Sequence, residues 1–128
     1  MSVVLDASAL LAALLGEPGA DQVDAQIDGA QMTTVNLAEV VGHFARAGAD
    51  RVRIEALLAG LPLTFVPPDE ALAVEAGMMR PFGKPFGLSL GDRFCLAHAK
   101  RTGATALTSD SAWAKAAGPL GVKIVLIR

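Results

Sequence analysis

The sequence predicts an α/β domain with a mostly parallel central sheet. Three observations carry that reading. Short apolar runs alternate with capped, helix-patterned segments along the whole chain, the order expected of strand–helix units around a parallel sheet. The first run, Val3-Val4-Leu5, is β-branched and uninterrupted, as in a strand buried on both faces. No linker, low-complexity stretch or charge run divides the 128 residues, so residues 1–128 are expected to form a single domain able to bury about two thirds of its unfolded surface.

The elements follow in order. Val3 to Leu5 ends on Asp6, and Ser8 is expected to cap a first helix, Ala9 to Leu15, stopped by Gly16. Pro18 opens a second helix to about Ile27, closed by Asp28-Gly29. Gln31 to Thr34 is a strand. Asn36 to Ala47 is a helix with Leu37, Val40, Val41 and Phe44 at helical spacing, ended by Gly48. Asp50 to Leu58 is a fourth helix. Pro62 introduces the strand Leu63 to Val66, which stops at Pro67-Pro68. Asp69 caps a fifth helix to Met79. Arg80 to Leu88 is expected to be irregular and contains the chain's one small repeat, Pro81-Phe82-Gly83 and Pro85-Phe86-Gly87. Ser89 caps a sixth helix to about Arg101. Thr105 to Thr108 is a strand, Ser109 or Asp110 caps a short helix to about Ala116 that Gly118-Pro119 breaks, and Val122 to Ile127 is the last strand.

Composition narrows the class. Half of the residues are apolar, yet no apolar stretch approaches the ~20 residues that cross a bilayer. No basic residue precedes the first apolar run, so a signal peptide is not expected. The single cysteine, Cys95, excludes an internal disulfide framework and suits a reducing cytoplasm. Net charge is −2, but the first 45 residues hold six acids and no Lys or Arg, and all eleven basic residues lie from Arg46 onward. That asymmetry is either a matter of solvated faces or a sign that cations were kept out of an acidic site. There is no broad basic face of the kind used for non-specific nucleic-acid binding.

Four acids stand apart by position. Asp6 follows the first strand and Asp110 follows Leu107-Thr108-Ser109. Glu39 lies in the first turn of the helix after the second strand, and Asp92 in the first turn of the sixth helix, three residues after Ser89. Strand carboxyl ends and the amino ends of the following helices share one edge of a parallel α/β sheet, which is where such sheets bind ligands. Glu39 and Asp110 also sit in apolar surroundings. Carboxylates packed together in low dielectric repel, so a cluster stays ionised only beside a cation. Oxygen-only ligation suits Mg²⁺ or Mn²⁺ rather than Zn²⁺, and such a site can activate water and stabilise charge on a phosphodiester. The alternative is structural: Asp110 could cap a helix, and Asp92 could favour a helix dipole. For Asp6 no cap role is expected, because Ser8 already fits. Asp50, Asp69 and Glu70 have the same helix-start placement and are assigned to capping.

The motifs Val4-Leu5-Asp6-Ala7-Ser8, Asn36-Leu37-Ala38-Glu39-Val40, Ser89-Leu90-Gly91-Asp92-Arg93 with Cys95, Ala97 and Ala99, and Leu107-Thr108-Ser109-Asp110 together resemble a PIN-domain protein, in particular a VapC-type toxin ribonuclease of a toxin–antitoxin pair. The resemblance covers the whole chain. It implies an α/β/α sandwich with sheet order 3-2-1-4-5 and Mg²⁺- or Mn²⁺-dependent endonucleolytic cleavage of RNA. It assigns Asp6, Glu39, Asp92 and Asp110 to the acidic positions, Asp6 and Asp92 being the surest metal ligands, and places Ser8 and Thr108 as hydroxyls lining the site. It also implies a homodimer and a cognate VapB-type antitoxin, whose basic side chain can enter the acid cluster.

Other residues weigh less. The segment Arg80 to Gly87 combines two cations, Arg80 and Lys84, with two aromatics, a mixture that could grip phosphates and stack on unpaired bases; the favoured alternative is that both rings tuck in as an apolar plug. Arg93, beside Asp92, either steadies a phosphate or pairs with an acid. His43 and His98 lack partners at zinc spacing and read as packed residues, though His43 is four residues from Glu39. Cys95 reads as a small buried residue and Trp113 as a core anchor. The apolar residues of the first half (Leu10, Leu11, Leu14, Val40, Val41, Leu57, Leu58) exceed what one small core needs, which points to a partner surface.

Two other functions fit the same fold class. A phosphatase or receiver domain needs a second acid near Asp6 or a lysine after a late strand; Ala7-Ser8 supplies no acid, and Lys123 lies at the start of its strand, not after it. A non-catalytic binding module would be favoured by the loss of one of the four acids, and all four are present.

Overall fold

In a computed structural model, residues 2–128 are described, apart from the Lys84 side chain. Five parallel strands form one sheet: β1 (Val3–Leu5), β2 (Gln31–Thr33), β3 (Thr64–Val66), β4 (Thr105–Thr108) and β5 (Ile124–Leu126), in the order β3-β2-β1-β4-β5. This is the expected order. β1 sits at the centre, with Val3, Val4 and Leu5 in register with Thr105, Ala106 and Leu107 of β4. The chain therefore first winds outward to β3 and then crosses back to β4, so the winding reverses between the neighbouring strands β1 and β4.

Alternation along β1 divides the core. Val3 and Leu5, with Met32 and Leu107, face a layer built on α1 (Ala7–Leu15), α2 (Ala20–Asp24) and α3 (Thr34–Arg46). Val4 and Ala106 face the other layer, formed by α5 (Glu70–Met78), α7 (Leu90–Thr102) and α8 (Ala114–Leu120), where Leu72, Leu96, Trp113 and Leu120 are buried. Helix α4 (Arg51–Ala59) packs on α3 and contributes only Ile54 to the interior. Both faces of the sheet are covered, which is why its strands carry continuous apolar runs.

Several boundaries differ from the sequence expectation, each for a local reason. α1 begins at Ala7, and Asp6 rather than Ser8 is its cap, accepting from the Ala9 N–H. α2 is shorter than expected and starts after Gly19, which has φ +97 and no room for a side chain against the Ile127 carbonyl. α3 starts two residues early, capped by Thr33, so Glu39 lies in its second turn. Arg80–Phe82 is a 3₁₀ turn followed by the short helix α6 (Gly83–Phe86), so this segment is helical and not irregular. Its two phenyl rings stack 6.2 Å apart at 12° and pack on the α7 side of the core, as the plug reading requires. α8 runs through Gly118-Pro119 and stops only at Gly121.

Candidate functional site

The pocket is built where β1 and β4 end. Asp6 is the first residue after β1, and its backbone N–H still pairs with the Leu107 carbonyl of β4 at 3.2 Å. That ladder bond fixes the direction of its side chain. Asp6 Oδ1 accepts from the Ala9 N–H at 2.8 Å and the Ser8 hydroxyl at 2.7 Å, and Oδ2 accepts from the Thr108 hydroxyl at 2.6 Å. The two hydroxyls are themselves held: Ser8 Oγ accepts from the Ser109 N–H at 3.0 Å, and Thr108 Oγ1 accepts from the Asp110 N–H at 3.1 Å. Residues 100 apart in sequence thus form one rigid cradle, in which Asp6 is only 4 % exposed. Burial raises its carboxyl to a pKa of about 6, although three hydrogen bonds pull the other way; the charge of Asp92 adds to the rise.

Asp92 stands in the first turn of α7. Ser89 and Asp92 form a reciprocal capping box, in which Asp92 Oδ2 accepts from the Ser89 N–H at 2.8 Å. Its pKa is raised, chiefly by burial and also by the charge of Asp110. Asp110 follows β4 and caps the 3₁₀ turn Ser111–Trp113, accepting from the Ala112 N–H at 3.0 Å. Asp6, Asp92 and Asp110 are therefore neighbours in space, linked through Asp92.

Glu39 reaches the same turn from α3. Asn36 Nδ2 donates both to Glu39 Oε1 at 2.8 Å and to the Gly91 carbonyl at 3.1 Å, while Asn36 Oδ1 accepts from the Thr33 hydroxyl at 2.8 Å. The Glu39 carboxylate lies directly over Gly91: a Cβ there would clash with Oε1 and stand 2.7 Å from Oε2. Glycine leaves this carboxylate room to lie against the first turn of α7. Cys95 lies buried one turn below. Burial first, then the charges of Asp6, Asp92 and Glu39, push its thiol far up, so it stays protonated and offers no thiolate.

The structure thus brings together all four acids and the two hydroxyls Ser8 and Thr108. It does not bring Arg93. That side chain is buried, and its Nη1 donates to the Ala76 carbonyl of α5 at 3.2 Å, so it neither grips a phosphate nor pairs with an acid. The Lys84 side chain lies outside the described residues. His43 is exposed, edge-on to Phe44, and His98 is buried against Gln31 Oε1 at 2.8 Å, a packing role as expected. Asn36 and Gly91 were not singled out in the sequence, because their value lies in a contact between α3 and α7 that no local pattern encodes.

Among the described residues none of the four acids takes part in an ion pair. Nor do three of them already close around one point, since Asp6, Asp92 and Asp110 each turn an oxygen to a helix amino end. The donor set is nevertheless oxygen alone, carboxylate and hydroxyl, which fits a hard divalent cation such as Mg²⁺ or Mn²⁺ and not a zinc site.

Fold and site together define a doubly wound α/β protein with a carboxylate pocket at the strand ends. The family model described as PIN domain matches residues 3–119, and the chain belongs to that family. No curated protein sequence matches it. Among solved structures it is similar to a DNA-bound VapBC of Salmonella typhimurium, at 16 % identity over 100 % of this chain and 99 % of that one, with a TM-score of 0.74. It is also similar to VapC20 of Mycobacterium tuberculosis, a sarcin-ricin loop cleaving toxin, at 18 % identity over 89 % and 94 % of the two chains and a TM-score of 0.70. A toxin–antitoxin complex of Klebsiella pneumoniae gives 18 % identity over 98 % of each chain and a TM-score of 0.69. At these identities the likeness is one of fold.

Proposed function

We propose that this chain is a metal-dependent endoribonuclease, the toxin of a toxin–antitoxin pair, which hydrolyses RNA phosphodiesters. The observation that carries the reading is the meeting of Asp6, Glu39, Asp92 and Asp110 around the first turn of α7 with no ion pair to any of them among the described residues. Membership of the PIN domain family supports it, as does the shared fold with a sarcin-ricin loop cleaving toxin.

In this reading Asp6 and Asp92 hold a Mg²⁺ or Mn²⁺ ion, with Asp110 and Glu39 completing the acidic shell. When bound, the ion supplies positive charge against the phosphodiester and makes water a competent nucleophile near neutral pH. The chain's own residues prepare the place. Ser8 and Thr108 fix both oxygens of Asp6, so that this carboxylate is oriented before anything binds. Asn36 fixes Oε1 of Glu39. Ser8 and Thr108 border the pocket as substrate contacts, and Lys84 is proposed as a further one; the Arg93 side chain, turned to Ala76, has no part in it.

The proposed partners are the RNA substrate, a cognate VapB-type antitoxin and a second copy of the chain, in the cytoplasm. Several structural neighbours are toxin–antitoxin complexes. Leu57 on α4 and Val74 and Met78 on α5 are exposed apolar side chains that a protein partner would cover. No helix among the described residues is long and apolar enough to cross a membrane.

Cleavage mapping on total RNA with Mg²⁺ tests the activity. The wild type cuts at discrete sites, whereas Asp6→Asn, Asp92→Asn and wild type in excess EDTA do not, and the variants keep the circular-dichroism spectrum of the parent. Cutting by either variant, or in EDTA, overturns the mechanism. Binding of RNA without any cutting returns the protein to the class of non-catalytic modules.

A further inference from the structure

Around the acid pocket one buried donor is left over. Among the described residues two buried side-chain nitrogens have no hydrogen-bond partner, Arg93 Nε and Trp113 Nε1. Arg93 is turned to α5, where its guanidinium already reaches Ala76. Trp113 is at the pocket. It is fully buried, three residues beyond Asp110, and its backbone N–H donates to the Asp110 carbonyl at 3.1 Å. The indole N–H is buried without a hydrogen-bond partner, and it favours the charged form of Asp92. Asp92 Oδ2 meanwhile accepts from the Ser89 N–H.

A phenyl ring would also be apolar and leave no donor unmet. Burying an indole N–H without an acceptor is unfavourable, and buried indoles usually find one. Carboxylates that hold metals are in turn commonly oriented by a hydrogen bond from behind. We propose that Trp113 is a positioning residue for the acid pocket: its indole N–H donates to the Asp92 carboxylate and sets its orientation when a divalent cation draws the acids together. This rests on the nuclease reading above. It assigns to the only tryptophan of a chain without tyrosine a role beyond packing, and makes it a built-in reporter of the site.

The indole N–H gives a single cross-peak in a ¹⁵N–¹H spectrum, which tests the assignment directly. That peak moves when Mg²⁺ is added to the wild type and moves again in metal-free Asp92→Asn, while Asp69→Asn, far from the pocket, leaves it in place. Trp113→Phe keeps an aromatic side chain in the core and removes the donor. It weakens Mn²⁺ binding by calorimetry about 10-fold and lowers kcat for RNA cleavage at unchanged KM, while the smaller ring lowers the melting temperature of the metal-free protein. An indole peak indifferent to both Mg²⁺ and Asp92→Asn, in a protein that binds Mg²⁺ and cuts RNA, overturns the positioning role and leaves the nuclease standing. A wild type that binds no Mg²⁺ and cuts no RNA overturns both. Should Trp113→Phe fail to fold, the peak in Asp92→Asn decides.

Discussion

Asp6 and Asp69 perform the same local task and meet opposite fates. Each is the residue before a helix, and each accepts from the N–H three residues on, Ala9 or Leu72, at 2.8 Å. Asp69 is exposed and the chain supplies its counterion: Arg101 of α7 donates to both its oxygens at 2.7 and 2.8 Å. The hydrogen bonds from that guanidinium hold its carboxyl far below the usual range. Asp6 is buried with no cation, and its pKa rises to about 6, so keeping it ionised at neutral pH costs the metal-free fold on the order of 3 kcal/mol. That cost is absent below the ordinary carboxyl pKa and complete once the pH passes the raised one. A cap whose cation is internal serves the fold alone. Asp6, which has no ion pair among the described residues, is the cap that the proposed nuclease reading assigns to a divalent cation.

The sharpest way to break this contrast is to neutralise each member. Asp6→Asn is expected to reduce RNA cleavage by at least ~10²-fold while the melting temperature of the metal-free protein rises or holds. Asp69→Asn is expected to leave cleavage unchanged and lower the melting temperature. An Asp69→Asn protein that loses cleavage would show that the two caps do not differ in kind.

A smaller effect is expected at Gly91. In Gly91→Ala the new methyl group meets the flexible end of Glu39, so the helix persists and the carboxylate moves. Cleavage should fall by up to the ~10²-fold that misplacement by about an ångström can cost, with an unchanged circular-dichroism spectrum. Asn36→Ala should resemble it, because it frees the same carboxylate while also removing a buried bridge between α3 and α7.

The smallest effect concerns pH. Burial first, then the charge of Arg101, lowers the pKa of His98, which contacts Gln31. The unfolded chain therefore binds this proton more readily, and the stability that the neutral ring contributes is lost as pH falls through the unfolded value of about 6.5. Melting temperatures of wild type and His98→Gln, compared from pH 8 to pH 5.5, should converge at the acid end. Parallel profiles would place the titration elsewhere.

The sequence was most legible where capping chemistry and period agree. Asp50, Asp69 and Ser89 cap the helices assigned to them, Gly16, Gly48 and Gly103 end theirs in left-handed conformation, and the β1 and β4 runs are strands as expected. It misled at Ser8, which has the residue type of a cap but serves as a donor to the true cap, Asp6. It misled at Arg80–Leu88 and at Pro119 because Gly and Pro weigh heavily in a local reading, whereas packing of Phe82 and Phe86 and of Leu120 on the core carries the helix through. Arg93 looked free beside an acid, but helical geometry turns it one face away, to Ala76.

By itself the sequence determined the alternation of strands and helices, the parallel sheet and the four acids at element ends, since period, caps and chain order are local properties. Convergence was decided only by tertiary structure. β1 and β4 are neighbours because the chain reverses its winding, and that pairing joins Ser8 to Ser109 and Asp6 to Thr108 across about a hundred residues. The approach of α3 to α7 over Gly91, and the burial of the Trp113 indole in the core, likewise depend on how two layers close over one sheet, which no window of sequence contains.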